Sequence, residues 1–311
     1  MKFYRNLIIL FVVLIALIIT YVFVPKKNEN NFNVPQSSIV IKSFKAEEIR
    51  EISIKNFSGE ITIVNAANNW RMAAPADYKL DSVSVAGFVK NVCNFKASDI
   101  INNQPSDLNI YGLKAPAAEL TVKLKDGKAA QFKLGSKLPT GSGYYLMASD
   151  SAAVYSVNDF TAGDILRTAG EFRDKTIFNF NKKSVAFLSV SKQGKTLFQF
   201  KRNNIGWDVV TAAAKAGDNK KIENIIDKLS TLKVKEFINP LSYTKETVIG
   251  RNNSYTITIG VDKQPALKLI VGQDKDEESI YAEKEGSTEV FTVYKGDVNF
   301  VRNKLEEFIK K

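Results

Sequence analysis

The 311-residue sequence contains no histidine and a single cysteine, Cys93. Without histidine, a Ser-His-Asp triad, a Cys-His dyad and a histidine-ligated metal site are all excluded. One cysteine excludes an intrachain disulfide and a Cys/His zinc site. Cys93 lies beside an apolar helix stripe with no identifiable base nearby, so we interpret it as a small packing residue. We predict no catalytic, cofactor-binding or metal-binding residue, and no cofactor.

The motifs of phosphate binding and of serine-lysine acyl enzymes are incomplete. Gly194-Lys195-Thr196 imitates the end of a P-loop, but the first glycine is missing and the segment begins a strand. The two S-x-x-K matches, Ser189–Lys192 and Ser242–Lys245, are about what chance predicts at this composition. Ser189 lies in a predicted strand, where residues three apart point to opposite faces. Neither motif indicates an enzyme.

Acidic residues are concentrated in one segment, Asp274-Lys275-Asp276-Glu277-Glu278. We predict a solvated hairpin tip, because the sixth position of an EF-hand loop starting at Asp274 would be Ser279 instead of glycine. The spacing between carboxylates cannot be read from a sequence, so a carboxylate-based hydrolase of envelope glycans stays open as an alternative. Asp174 and Asp276 are the acids that we would test for it.

The formal net charge is +11. Lys2, Arg5, Lys26 and Lys27 flank a hydrophobic run and leave +7 for the remainder. The other basic residues are scattered without a nucleic-acid motif, so we predict no nucleic-acid partner. Binding to anionic lipid or to a wall polymer is an alternative that this charge favours.

The only long hydrophobic run covers residues 7–24, LIILFVVLIALIITYVFV. Eighteen uncharged residues span about 27 Å as a helix, close to the thickness of a bilayer's hydrocarbon layer. The run ends in Tyr21-Val22-Phe23-Val24, which offers no signal-peptidase pattern, so we predict an uncleaved anchor over residues 1–27 that contacts the lipid bilayer through residues 7–24. Residues 28–38 are polar and predict a flexible tether.

Flanking charge predicts the orientation of this anchor. The N-terminal side is slightly more basic, which favours the N-terminus inside and the remaining chain outside the cytoplasm. We therefore expect a single-pass protein of the cytoplasmic membrane with an extracytoplasmic C-terminal domain.

An internal repeat organises the rest of the chain. Trp70 and Trp207 are 137 residues apart, and the same offset maps Asp81 onto Asp218. It also aligns two apolar stripes with helical spacing, Val85, Phe88, Val89, Val92 and Phe95 with Ile222, Ile225, Ile226, Leu229 and Leu232. We predict two tandem units, residues 39–175 and 176–311. The matched tryptophans suggest core packing, with a recognition surface as the alternative.

Each unit repeats the same pattern of elements. Two alternating strands come first, near 49–56 and 60–66 and again near 185–192 and 196–202, and Asp81 and Asp218 then cap an amphipathic helix. About four short strands follow, with Asp126-Gly127 as a hairpin turn. A closing helix from about Asp297 would place five apolar residues on one face, Val298, Val301, Leu305, Phe308 and Ile309. The predicted fold class is antiparallel α+β.

Several short motifs resemble one known family. They are Trp70-Arg71-Met72-Ala73-Ala74-Pro75, Leu108-Asn109-Ile110-Tyr111-Gly112-Leu113-Lys114-Ala115-Pro116, Leu134-Gly135, Tyr144-Tyr145 and Phe172-Arg173-Asp174-Lys175. The sequence resembles domain of unknown function 4340 over most of residues 44–311. The second unit departs from the pattern, because Ile249-Gly250-Arg251 replaces Tyr-Gly-Leu and no proline closely follows Trp207.

The resemblance implies a membrane-anchored protein associated with gliding-motility-type ABC transporter components, and it implies no reaction. Together with the missing catalytic motifs, it leads us to expect an interaction or accessory protein, not an enzyme. We expect this protein to dock onto an envelope complex or ABC-type transporter subunits.

Overall fold

The computed structural model describes residues 38–66, 69–210, 215–239, 242–250 and 252–310. The predicted anchor, residues 1–27, and residues 28–37 of the predicted tether lie outside these residues. Among the residues described, no helix is long and apolar enough to cross a membrane.

Strands dominate the structure. The first ten, up to the middle of the chain, are β1 (Ile39–Ser43), β2 (Ile49–Asn56), β3 (Gly59–Ala66), β4 (Asn69–Ala74), β5 (Asn94–Ala97), β6 (Asp99–Asn102), β7 (Ala118–Leu124), β8 (Ala129–Lys137), β9 (Tyr144–Ala148) and β10 (Val154–Val157). The others are β11 (Val185–Lys192), β12 (Lys195–Asn203), β13 (Gly206–Val209), β14 (Lys215–Ala216), β15 (Glu236–Phe237), β16 (Tyr255–Val261), β17 (Leu267–Asp274), β18 (Ser279–Lys284) and β19 (Val290–Tyr294).

Helices are few and short in the described residues. They are α1 (Ser82–Cys93), α2 (Asp159–Leu166), α3 (Ala169–Phe172), α4 (Asn219–Ser230), α5 (Lys245–Ile249) and α6 (Lys295–Val298). The longest, α1 and α4, have 12 residues each. The predicted α+β class is therefore wrong. The described chain is mostly antiparallel β-sheet, and its helices are too short and too few to form a layer of their own.

Two large antiparallel sheets have the same strand order. The first runs β4-β3-β2-β7-β8-β9-β10-β6, and the second runs β14-β13-β12-β11-β16-β17-β18-β19-β15. Strands β1 and β5 form a separate two-stranded ribbon. Apart from the additional edge strand β14, the two orders match position for position. The unit boundaries at residues 39–175 and 176–311 stay a prediction.

The helix signals in the sequence are confirmed locally. The Asp81 side chain accepts hydrogen bonds from the amides of Val83 and Ser84 at the start of α1, and Asp218 accepts from Lys221 at the start of α4. The predicted stripe of α4 is buried in the core of the second sheet, as is Leu232 beyond its end. In the first stripe the helical face is buried, but Phe95 belongs to β5, since α1 ends at Cys93.

The predicted closing helix is wrong. Residues 295–308 form α6 followed by two 3-10 segments, Asn299–Arg302 and Leu305–Phe308, separated by the extended residues Asn303 and Lys304. Apolar residues three and four apart suit either an α-helix or successive 3-10 turns, because side chains three apart share one face of both. The burial of Val298, Val301 and Phe308 was predicted correctly even though the helix was not.

The end of this segment returns to α4. Gly217 forms an isolated antiparallel bridge with Ile309, and the Asp218 amide donates to the Phe308 carbonyl at 2.8 Å. The Lys221 ammonium donates to the Glu307 carbonyl at 2.7 Å. The last described residues therefore cover the start of α4.

By internal contacts the described chain forms two compact units. The smaller contains 38–45, Asn91–Glu119 and Ala130–Ile165, and the larger contains Ala46–Lys90, Leu120–Ala129 and 166–310.

Candidate binding cleft

The most distinctive polar side chain in the larger unit is Arg173. Its guanidinium carbon lies 3.7 Å from the ring centre of Tyr78 and 3.5 Å from that of Phe237. Its Nη2 donates to Glu289 Oε2 at 2.6 Å, and only 11% of its side chain is exposed. Flat contacts with two rings and an ion pair hold the guanidinium in one orientation.

Local backbone pairing explains why Arg173 meets Tyr78. Phe172, the last residue of α3, is buried edge-to-face against Phe88, with 4.9 Å between ring centres. Arg173 forms an isolated antiparallel bridge with Leu80, and the next amide, of Asp174, donates to the Lys79 carbonyl at 2.8 Å. This short pairing fixes the segment before α1 against the segment after α3.

The second wall comes from the edge of the second sheet. Phe237 lies in β15, which pairs with β19, and the amide of the following Ile238 donates to the Val290 carbonyl. Glu289 immediately precedes β19. The aromatic ring and the carboxylate that hold Arg173 are therefore fixed by one strand pair.

A cleft of about 610 Å³ opens beside Arg173. Its apolar lining includes Phe57, Pro75 and Ile238. Phe57 lies in the turn between β2 and β3 and is 79% exposed. We call this site the Arg173 cleft. Its volume falls within the range of ligand-binding clefts, and its lining combines an exposed ring with a fixed cation.

Asp174 was one of the two acids considered for hydrolysis, and the structure pairs it with Lys79 at 2.8 Å. The hydrogen bond from Lys79 lowers the pKa of Asp174 to about 2. Asp276 is the other acid, and the Ser279 hydroxyl with nearby backbone amides lowers its pKa to about 2 as well. A general acid at neutral pH needs a raised pKa, so both environments act in the opposite direction.

The other candidate motifs occupy ordinary structural positions. The acidic segment is a hairpin tip, as predicted, since it joins β17 to β18, and Asp274 pairs with Lys295 and Arg302. Gly194 forms the β11–β12 turn, and Ser189 lies within β11. Lys245 pairs with Glu283. Within the described ranges, no group of three or more Cys, Asp or Glu side chains could hold a metal ion.

The family-like motifs separate into two places. Pro75 from the first and Arg173 and Lys175 from the last line the Arg173 cleft. The Tyr-Gly-Leu turn lies in the smaller unit, where Tyr111 contacts Tyr145 edge-to-face with 5.0 Å between ring centres. Sequence reasoning missed Phe57, Tyr78, Phe237 and Glu289, and no local pattern around these residues could have indicated a shared site.

The tryptophan prediction is half confirmed. Trp207 is 2% exposed, its Nε1 donates to Glu223 Oε1 at 2.8 Å, and Arg202 lies over its ring. Trp70 on β4 is only partly buried. The matched positions therefore differ in environment.

A family model described as Domain of unknown function (DUF4340) matches residues 70–253. The chain belongs to this family. The match includes two motif segments that contribute residues to the Arg173 cleft, Trp70–Pro75 and Phe172–Lys175. Neither the curated proteins nor the solved structures contain a match to the chain.

Proposed function

We propose that this DUF4340 protein is a non-enzymatic accessory protein that binds a partner protein through the Arg173 cleft. The observation that carries the proposal is the fixed Arg173 guanidinium beside the exposed Phe57. Arginine and large aromatic residues dominate the binding energy of protein interfaces. A side chain already held in one rotamer loses little conformational entropy on binding, so Arg173 is prepared for contact.

The donor capacity of Arg173 supports the same proposal. A guanidinium carries five N–H groups, and in the described part of the chain only Glu289 accepts from this one. Arg202 is the contrast, because its Nε, Nη1 and Nη2 donate to Val185, Glu223 and Lys182 respectively. Arg202 therefore makes three hydrogen bonds within the fold, whereas Arg173 makes one in the described residues and retains more donors for acceptors of a partner.

We further propose that residues 7–24 hold the protein at the cytoplasmic membrane with the described residues outside the cytoplasm. The partner class is then a membrane complex of the envelope, with ABC-type transporter subunits as the first candidates. This part rests on the hydrophobic run, on flanking charge and on what the family resemblance implies.

Site-specific cross-linking in cells tests the proposal. A photo-reactive amino acid replaces Phe57 in the full-length protein, and mass spectrometry identifies the captured proteins. Ile205 is the matched control site, since it lies in the turn between β12 and β13 and is 89% exposed. We expect one set of membrane-complex subunits at position 57 that is absent at position 205.

A variant then connects capture to the guanidinium. Arg173→Lys retains the charge and loses the flat, forked geometry, so capture at position 57 is expected to fall several-fold. Equal capture at positions 57 and 205, or capture unchanged by Arg173→Lys, contradicts the proposal.

A further inference from the structure

The smaller unit contains a second cavity, of about 340 Å³. Asn91 at the end of α1 and Asn94 in β5 form one side, and Phe160, Thr161 and Asp164 of α2 form another. Asn158, just before α2, completes the polar lining. We call this site the amide pocket. None of its residues takes part in the Arg173 cleft.

Hydrogen bonds within the pocket orient two of its amides. Asp164 is 4% exposed, and its Oδ2 accepts from Asn91 Nδ2 at 2.8 Å. That bond fixes which end of the Asn91 amide is the donor and leaves its oxygen as an acceptor. Asn158 Oδ1 accepts from the Thr161 amide at 2.9 Å, which leaves the Asn158 nitrogen as a donor. The pocket therefore presents donors and acceptors side by side.

An exposed aromatic ring borders these polar groups. Phe160 lines the pocket and is 67% exposed. Phe160 and Asp164 are four residues apart in α2, so both side chains lie on the same face of the helix. An exposed phenylalanine next to a polar pocket offers an apolar surface for one face of a ligand.

The charges of the pocket nearly balance. Lys96 and Asp164 are its only charged lining residues in the described chain, and they have opposite signs. A pocket with no net charge gives little preference to an ionic ligand. The favoured ligand is neutral, rich in groups that both donate and accept hydrogen bonds, and apolar on one face.

We infer that the amide pocket binds a neutral saccharide. Sugar hydroxyls donate to the Asn91 oxygen, which the bond to Asp164 orients, and they accept from Asn158 and Asn94 amide N–H groups. The C–H face of the pyranose ring packs against Phe160. This inference is independent of the proposed protein docking, because the amide pocket lies in the smaller unit, the Arg173 cleft lies in the larger unit, and they have no residue in common.

Calorimetric titration of the purified full-length chain tests the inference, with maltotriose, cellotriose and chitotriose as probes. At least one probe is expected to bind with one site per chain. Phe160→Ala is expected to weaken that binding by about three- to tenfold, through loss of the aromatic surface. Ile205→Ala removes an exposed apolar side chain outside both sites and is expected to leave saccharide binding unchanged.

A second variant guards against an indirect effect. Asn94→Ala changes an exposed amide in the pocket and leaves the Asn91–Asp164 bond intact, so it also is expected to weaken binding. The inference is overturned if none of the three trisaccharides binds at millimolar concentration. It is equally overturned if binding is the same in wild type, Phe160→Ala and Asn94→Ala.

Discussion

The two large sheets share a strand order, but a different backbone segment packs against the equivalent strand of each, β8 in the first and β17 in the second. In the first, Gly135 on β8 lies so close to the Tyr111 carbonyl that a Cβ atom would be 2.1 Å from its oxygen. In the second, Gly272 on β17 lies against the Val248 carbonyl, where a Cβ would be 2.0 Å away. The same backbone approach is made at positions 137 residues apart, by a 3-10 turn in one case and by α5 in the other.

The residues that surround this glycine–carbonyl contact differ between the two sheets. The first turn ends at Gly112 with φ of +68°, where a Cβ would collide with Ser136, whereas Gly250 in the second has φ of −51°. The absence of Tyr-Gly-Leu from the second half therefore does not remove the crossing turn. Both halves require a glycine in the strand that packs against the turn, Gly135 in β8 and Gly272 in β17. The Tyr-Gly-Leu motif is one of two backbone conformations that make this contact.

The largest effect is expected from adding a methyl group at this approach. Gly135→Ala and Gly272→Ala should each lower the free energy of unfolding by about 2–3 kcal/mol, because a backbone carbonyl cannot move away cheaply. Gly87→Ala is the matched control: a Cβ there meets nothing within 4 Å, and alanine in a helix should stabilise by up to about 1 kcal/mol. Urea unfolding measures all three. Tolerance of alanine at one strand glycine only would show that the two approaches are not equivalent.

The two tryptophans should differ by a smaller amount. Trp207→Phe loses buried volume and the hydrogen bond to Glu223, for a cost of about 2 kcal/mol. Trp70→Phe affects a partly exposed ring and should cost less than about 1 kcal/mol. Equal unfolding midpoints for the two variants would contradict the difference in burial.

The two arginines provide a third comparison. Arg202→Lys breaks several hydrogen bonds within the fold and should cost about 1–2 kcal/mol of stability. Arg173→Lys should cost less, since one ion pair and two ring contacts are partly retained by an ammonium. The opposite ranking, measured by thermal unfolding, would assign Arg173 a mainly structural role.

The smallest effect concerns acid stability. The folded-state pKa of Asp174 is about 2, below the ordinary 3.8. The contribution of this carboxylate to the stability of the fold is therefore present above pH 4 and is lost as the pH falls toward 2. Asp276 follows the same direction, but its main cause is the Ser279 hydroxyl and not an ion pair. Asp174→Asn should therefore reduce the acid-induced decrease in the free energy of unfolding mainly at low ionic strength. Asp276→Asn should reduce that decrease at any ionic strength. Unfolding free energies at pH 2, 3, 4 and 7, with and without salt, measure both.

Local patterns predicted much of the strand layout. The paired strands at 49–66 and 185–203, the Asp126-Gly127 hairpin, where Gly127 has φ of +89°, and both aspartate caps depend on neighbouring residues and were correct. The predicted fold class contained too much helix, because the spacing of apolar residues does not distinguish one α-helix from successive 3-10 turns. Both candidate sites depend on side chains distant in sequence. The Arg173 cleft joins residues 57, 78, 173, 237 and 289, and no sequence period relates them.

The return of residues 307–309 to the start of α4 has a consequence for the order of folding when the chain emerges N-terminus first. Strands β11 to β13 are sequence neighbours and can pair as they emerge. The amide of Asp218 finds its partner much later, because the carbonyl that accepts its hydrogen bond belongs to Phe308, ninety residues further along the chain. Until that residue has emerged, the Asp218 amide lacks this partner and the start of α4 is not covered. Chaperone contact during translation is then expected to concentrate on this interval.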